Sequence, residues 1–434
     1  MGKMENLSGT VSLCMIAKNE EENIAKCLNS VKDLADEVII ADTGSTDKTK
    51  QAAEEIFKSF ASSGKIFGFK LFDFKWNDDF SSARNESLKY ATKDWILVLD
   101  ADEVLDEKGA DEIKNLINKS GKAENPASAD SFLLLQKNYT ADKSIAGFFN
   151  EPHSYGGKNY PGWYGSLIVR LFKNRKGFEF SGIVHELIEP SIEKKNGIIK
   201  ASGAVICHYG NADLKTVRKK RQFYLGLCKK KLRENEDSLT HYEMGVLYKE
   251  NDDSENAIVS LKKSVELDSK NYLSLYELGI LHEKLKNYDE AIKYYTESLR
   301  IKESAESFQN LGVCYMKKGM LKESYANLIK AMLLSPNKYT IYNNLGAVFE
   351  RLGNYKSARE MLEIGIKLNP DNAIGFFNLA IVYDKSGNPG EALKNYENAV
   401  GLGHKKSDEI RKRVKQLRMI IENSPNYGYS FKIG

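Results

Sequence analysis

Two carboxylates separated by one residue, Asp100 and Asp102, close the apolar run in WILVLDADE, and this pattern is well suited to chemistry. At the end of a buried strand such a pair converges on one divalent cation, Mg2+ or Mn2+, which takes oxygen ligands and bridges diphosphate oxygens. The same pair in isolation also fits a turn or a helix start. Asp42 directly follows EVIIA and precedes Gly44, which permits a tight turn. Its carboxylate either accepts hydrogen bonds from a base or ribose, or joins Thr43, Ser45 and Thr46 in making a turn and capping the next helix. Glu20, in AKNEEENI, takes the corresponding place after the first apolar run. Ligands of open α/β sheets gather at such carboxyl ends.

Positioning these acids requires a parallel sheet. Short apolar runs (VSLCMIA, EVIIA, FKLFDF, WILVLD) alternate with helical periodicity near residues 21–31, 47–60 and 80–91. This βαβαβαβ order predicts strands covered by helices. From 128 to about 208 the pattern turns to strands and loops, including GFFNEPHSYGGKNYPGWYG at 147–165. A loop of that length is usually functional or mobile.

Beyond Asn211 the chain reads as helical, and it repeats itself. Met244-Gly245, Leu278-Gly279, Leu311-Gly312, Leu345-Gly346 and Leu379-Ala380 are spaced by 34, 33, 34 and 34 residues. An aromatic or His follows each small residue by three positions (Tyr248, His282, Tyr315, Phe349, Tyr383). A second small residue comes nine further on (Ala257, Ala291, Ser324, Ala358, Ala392). The period and positions resemble the tetratricopeptide repeat over residues 238–406, which implies an all-α solenoid. Ile410, Val414, Leu417 and Ile421 predict a capping helix, and residues 407–434 are read as cap and tail. The tail, PNYGYSFKIG, either lies free or folds against the groove. Residues 213–237 read as a connecting helix. Its nine Lys and Arg residues between 214 and 233 accompany a stripe of Leu214, Val217, Tyr224, Cys228 and Leu232, so they are read as a solvated face rather than a nucleic-acid surface.

Bulk composition agrees with two folded units. The 434 residues are 41% hydrophobic and 29% charged, with a net charge of +4 that gives no case for a nucleic-acid partner. Five scattered cysteines without a Cys-x-x-Cys pair suit reduced thiols in a cytoplasmic protein. No apolar run approaches the roughly 20 residues of a transmembrane span, and no secretory leader is evident.

In order and spacing, MIAKNEEENIAKCLNSV, DEVIIADTGSTDKT, DDFSSARNESLKYA and WILVLDADE resemble family 2 glycosyltransferases. The resemblance covers roughly residues 10–210 and implies an α/β GT-A domain, a Rossmann-like mixed sheet, over residues 1–212. It further implies a nucleotide-diphosphate sugar donor, usually a uridine one, a metal held by the Asp-x-Asp motif, and inversion at the anomeric carbon. By this resemblance Asp42 takes the uracil- and ribose-binding position and Arg84 the basic position near the nucleotide. Asp100 and Asp102 take the nucleotide-sugar and metal positions. The chemistry of the residues agrees, because a departing nucleoside diphosphate needs its charge neutralised by a metal or an arginine. A surface salt bridge is the plainer alternative for Arg84.

An acceptor hydroxyl or thiol needs a base, and Glu186 in FSGIVHELIEP is the candidate. GIVHE is similar to a motif of a family 2 branch that includes lipopolysaccharide core glucosyltransferases and bacteriocin S-glycosyltransferases. The commoner base motif of the family, an Asp pair after Glu, is not evident here. His185 is expected to orient Glu186 or contact the diphosphate, and His208 to approach the metal, as a C-terminal histidine does in several GT-A enzymes. Trp163 and Tyr164 form either a stacking wall for sugar or acceptor, or part of the core. Asn310, Asn344 and Asn378 precede the repeat leucine or its equivalent, where amides on a concave helix can pair with peptide backbone. The expected function is therefore transfer of a sugar to a protein or peptide held by the repeats. A glycan or lipid-linked acceptor, with repeats used for docking or homodimerisation, is the second reading. An inactive scaffold is the third.

Overall fold

The computed structural model describes residues 9–62, 68–120, 129–142, 145, 148–209 and 214–423, with backbone alone at 214–217. The tail PNYGYSFKIG and the side chains of Leu214 and Val217 lie outside the described residues. The chain divides into two compact units, residues 1–247 and 248–434.

The first unit opens with β1 (Val11–Ala17), α1 (Ile24–Ser30), β2 (Glu37–Asp42), α2 (Thr49–Ser62), β3 (Gly68–Asp73), α3 (Phe80–Leu88) and β4 (Trp95–Val98). It continues through β5 (Glu103–Leu105), α4 (Gly109–Ser120), β6 (Ser131–Thr140), β7 (Phe148–Phe149), β8 (His153–Tyr155), β9 (Lys158–Tyr160), β10 (Gly162–Lys173), α5 (Glu189–Lys194) and β11 (Ile199–His208). One mixed sheet has the order β3-β2-β1-β4-β10-β6-β11-β5, with β7 beside β10, while β8 and β9 pair separately. Strands β1 to β4 run parallel, and β10 enters antiparallel between β4 and β6.

Successive side chains of a strand face opposite sides, so the continuous apolar runs mark a sheet covered on both faces. Leu13, Met15 and Leu97 pack with Ile24 and Leu28 of α1, Ala53 of α2 and Ile113 and Ile117 of α4. On the other face Cys14, Ile96 and Val98 pack with Phe172, Phe178 and Ile192. The run WILVLD ends as a strand at Val98, one residue before its last apolar residue, Leu99. Glu103 causes this: its carboxylate accepts a hydrogen bond from the Asp100 N–H at 2.8 Å, and its own N–H donates to the Asp100 carbonyl at 3.0 Å. The acidic pair thus occupies a tight turn between β4 and β5.

Helix α6 (Leu214–Glu234) follows, with Leu225, Leu227 and Cys228 buried, so its apolar face is broader than the expected stripe. Ten helices come next: α7 (Ser238–Glu250) and α8 (Ser254–Leu267), and then four packed pairs, α9 (Tyr272–Lys284) with α10 (Tyr288–Ile301), α11 (Ala305–Lys317) with α12 (Leu321–Leu334), α13 (Tyr339–Arg351) with α14 (Tyr355–Leu368), and α15 (Ala373–Lys385) with α16 (Pro389–Gly401). α17 (Ser407–Glu422) closes the array and buries Ile410, Val414 and Leu417. The repeated small residues Ala257, Ala291, Ser324, Ala358 and Ala392 are wholly buried, as close helix pairing requires. Ion pairs tie successive repeats: Lys249 with Glu277, Lys338 with Glu306 and Lys385 with Glu350. Arg413 grips Asp384 through two bonds of 2.8 and 2.6 Å and so fastens α17 to α15.

Candidate active site

Asp100, at the turn after β4, lies between two arginines. Arg84 Nη2 from α3 donates to its Oδ1 at 2.7 Å, and Arg170 Nη2 from β10 donates to its Oδ2 at 3.0 Å. Arg84 Nε also donates to Glu186 Oε1 at 3.1 Å, while Arg170 Nη2 reaches Glu103 Oε1 at 3.0 Å. Helix α3 aims Arg84 inward because Asp79 caps it, accepting from the Ser82 N–H at 3.0 Å, and its buried face is Ser81, Ala83, Arg84 and Ser87. Arg84 is therefore no surface ion pair; it is 5% exposed. Burial opposes the charge of Asp100, yet Arg84 and then Arg170 hold its carboxyl well below the usual carboxylate range. Burial likewise works against both arginines, and the surrounding carboxylates outweigh it. Glu103, fully buried, is pushed upward by burial first.

Arg170 and Glu103 complete this network and are absent from the residues expected of the site. The available signal was a lone charge inside SLIVRLF, since a buried strand tolerates an arginine only beside compensating acids. Arg84 Nη1 and Arg170 Nε are buried without a hydrogen-bond partner. Such orphaned N–H groups are costly unless a ligand anion meets them.

Asp102 faces His208 of β11, with Oδ2 and Nε2 3.3 Å apart. His208 Nδ1 lies 2.8 Å from Asn138 Oδ1 of β6, so Nδ1 carries the proton of that bond and Nε2 points at Asp102. Burial opposes both charges, but each partner favours the other's charged form, lowering the pKa of Asp102 and raising that of His208. An imidazole oriented by an amide behind it and a carboxylate in front is a donor set that suits a divalent metal. Among the described residues no three His, Cys, Asp or Glu side chains gather to cage an ion unaided. Asp102 and His208 are the residues present that would hold such an ion. Lys220, exposed on α6, is drawn further toward its charged form by Tyr224 and Asp102, against the desolvation around it.

Asp42 is fully buried at the end of β2. Its Oδ1 accepts from the N–H groups of Gly44 at 2.9 Å and Ser45 at 2.8 Å, closing a turn in which Gly44 has φ +103°. Its Oδ2 is buried with no partner, which leaves one oxygen for a ligand donor. Both sequence alternatives for Asp42 are thus compatible, one oxygen each.

Glu20 accepts a bond from Asn23 Nδ2 at 2.8 Å. Burial, reinforced by Asp102 and Asp100, pushes its pKa up to about 7. A carboxyl that holds its proton more tightly when folded loses stability as pH rises from the ordinary carboxylate value through about 7. Glu20→Gln is therefore expected to match the native melting temperature near pH 5 and to exceed it increasingly up to pH 8, measured without metal or nucleotide. A melting difference independent of pH would show that Glu20 is not buried as described.

The other expected residues are placed as follows. His185 Nε2 is buried without a partner, and Glu186 takes its side-chain orientation from Arg84 rather than from this imidazole. Trp163 is 8% exposed, stacked on Phe149 at 4.5 Å with Lys137 over its ring, in a cluster with Tyr139, Tyr160 and Tyr209. Tyr164, half-buried, alternates to the other face of β10. In the second unit Asn310, Asn344 and Asn378 are half-buried on α11, α13 and α15, and Asn310 Nδ2 donates to the Tyr276 hydroxyl at 3.4 Å.

A mixed sheet with acids and arginines at its carboxyl end is the architecture of a GT-A domain, and here a helical solenoid follows it. Residues 12–129 match the family model described as glycosyl transferase family 2, and residues 239–271, 272–304, 305–338 and 343–404 match tetratricopeptide repeat models. The chain carries a family 2 glycosyltransferase domain followed by C-terminal tetratricopeptide repeats. It is similar to a TPR repeat-containing protein of Synechococcus elongatus, 29% identical over 350 residues that span 75% of this chain and 76% of the relative. Similarity to the SPbeta prophage-derived glycosyltransferase SunS of Bacillus subtilis is 30% identity over 177 residues, 41% of this chain and 34% of that protein. An uncharacterized glycosyltransferase of Rickettsia bellii is 26% identical over 227 residues, 51% of this chain and 67% of its own length.

Proposed function

We propose that this chain moves a sugar from a uridine diphosphate donor to a protein or peptide acceptor, with inversion and with Mn2+ or Mg2+. The observation that carries the reading is the joining of Asp100 and Glu186 through one buried guanidinium, beside the facing pair Asp102 and His208. Glu186 spends Oε1 on Arg84, which leaves Oε2 to take the proton of an acceptor hydroxyl or thiol. The acceptor atom then attacks the anomeric carbon from the face opposite the leaving group, and the bond to the diphosphate oxygen breaks with its electron pair leaving on that oxygen. A single displacement of this kind inverts the centre. A bound divalent cation would supply Lewis-acid stabilisation of that leaving oxygen, and Asp102 and His208 would hold it. Arg84 and Arg170, fixed in advance by Asp100, add positive charge without reorganisation.

Peptide as acceptor is supported by the repeat array, and sugar transfer by the match to SunS, named as a glycosyltransferase. The five free cysteines suit a reducing cytoplasm. Among the described residues no helix is long and apolar enough to cross a membrane. Mass spectrometry of proteins co-purifying with the chain tests the reading directly, through hexose-type mass additions. With the acceptor identified, replacing Asn310, Asn344 and Asn378 together by Ala is expected to raise the acceptor KM by roughly tenfold or more while kcat changes little, since contacts remote from the chemistry act on binding. An unchanged KM would assign the array to docking or dimerisation.

A further inference from the structure

The segment bearing the candidate base is a short loop pinned at its root, where Ser181 and Leu187 exchange two backbone hydrogen bonds of 2.9 Å. Helix α3 holds one side of it: the Phe80 N–H donates to the Ile183 carbonyl at 3.0 Å, and Ser81 Oγ donates to the Gly182 carbonyl at 2.5 Å. A single side chain holds the other. Glu243 Oε1, from α7, accepts hydrogen bonds from the consecutive N–H groups of Val184 and His185, both at 3.0 Å. Glu243 is wholly buried, and its Oε2 has no partner. The approach is so close that a Cβ at Gly182 would stand 2.7 Å from Oε1, and Gly182 sits at φ +103°, where a side chain is also strained.

Glu243 occupies an informative place in the repeat. It directly precedes Met244-Gly245, as Asn310, Asn344 and Asn378 precede their own leucines two or more periods later. In the first repeat this position binds backbone N–H groups of the enzyme's own loop. The residue bonded last in that loop, His185, adjoins Glu186.

We infer that Glu243 is a positioning residue for the base: it fixes the backbone of Val184 and His185 and through it the direction of Glu186. This rests on the reading of Glu186 as the base. On this inference α7, the first helix of the array, serves the catalytic machinery.

The test uses the full chain, manganese, and the fastest-hydrolysed of UDP-glucose, UDP-galactose and UDP-N-acetylglucosamine, with UDP affinity measured separately by calorimetry. Glu243→Ala and Glu243→Asp, the latter one methylene short, are expected to lower kcat by about ten- to a hundredfold, the usual effect of a displacement near 1 Å, with UDP affinity unchanged. Glu243→Gln keeps an oxygen at Oε1 and places its amide where Oε2 has no partner, so it should stay within about threefold of native. If Glu243 acts through Glu186, adding Glu243→Ala to Glu186→Gln should slow that variant no further. Native turnover in both the Asp and Ala variants, additive losses in the double variant, or a Gln variant as slow as Asp would overturn the inference. Should the Ala variant fail to fold, the Asp and Gln pair decides alone. Failure of the base reading shows separately, as native turnover in Glu186→Gln itself.

Discussion

Asp102→Ala is expected to reduce manganese-dependent release of UDP from its sugar donor by on the order of a thousandfold or more, the equivalent of several kcal/mol of lost charge stabilisation. The physical reason is that Asp102 and His208 are the two side chains facing one another across 3.3 Å with an oriented nitrogen between amide and carboxylate. Without the carboxylate, the His208 imidazole alone would hold a divalent cation poorly. The fold should survive, because Asp102 engages in neither arginine bond and the turn is held by Glu103. The measurement is turnover against manganese concentration, together with the denaturation midpoint. Native turnover in the variant, or in excess chelator, would remove the metal from the mechanism. Because no three-ligand cage is present among the described residues, manganese should also bind weakly alone and tightly with UDP.

Glu186→Gln is expected to retain UDP affinity and to lose transfer by about two to four orders of magnitude, the usual worth of a positioned base. The amide oxygen can still accept from Arg84 Nε in place of Oε1, so shape and the Arg84–Asp100 bond persist while proton acceptance is lost. Single-turnover transfer and calorimetric UDP binding check the two halves of this expectation. Comparable rates in the two proteins would move the base elsewhere, with Glu151, the one acid of 147–165, the next to test.

Local pattern made much of this molecule readable. Strands β1 to β4 follow from short apolar runs between helical periods, and the solenoid follows from a small residue recurring every 33 or 34 positions. Asp100, Asp102, Arg84 and Glu186 were found through motifs, and the structure brings three of them into contact through one guanidinium. What was hidden depends on contacts between residues far apart in the chain. Arg170 is 70 residues from Asp100, Asn138 is 70 from His208, and Glu243 is 58 from His185. Periodicity identifies the strand or helix carrying such a residue, but pairing across the sheet decides what it meets. The strand ending at Val98 shows the same limit, since the hook from Glu103 overrides a run of apolar residues.

The ion pairs between neighbouring repeats, with Arg413 on Asp384 as the final clasp, describe a chain of like couplings. In such a stack a repeat meets only its neighbours, so duplicating one unit replaces a junction with two of the same kind and leaves the rest undisturbed. Glu243 commits α7 to the loop at Val184 and His185. On the proposed function, adding a whole repeat would therefore lengthen the surface offered to an acceptor while leaving Asp100, Asp102, Arg84 and Glu186 as they are.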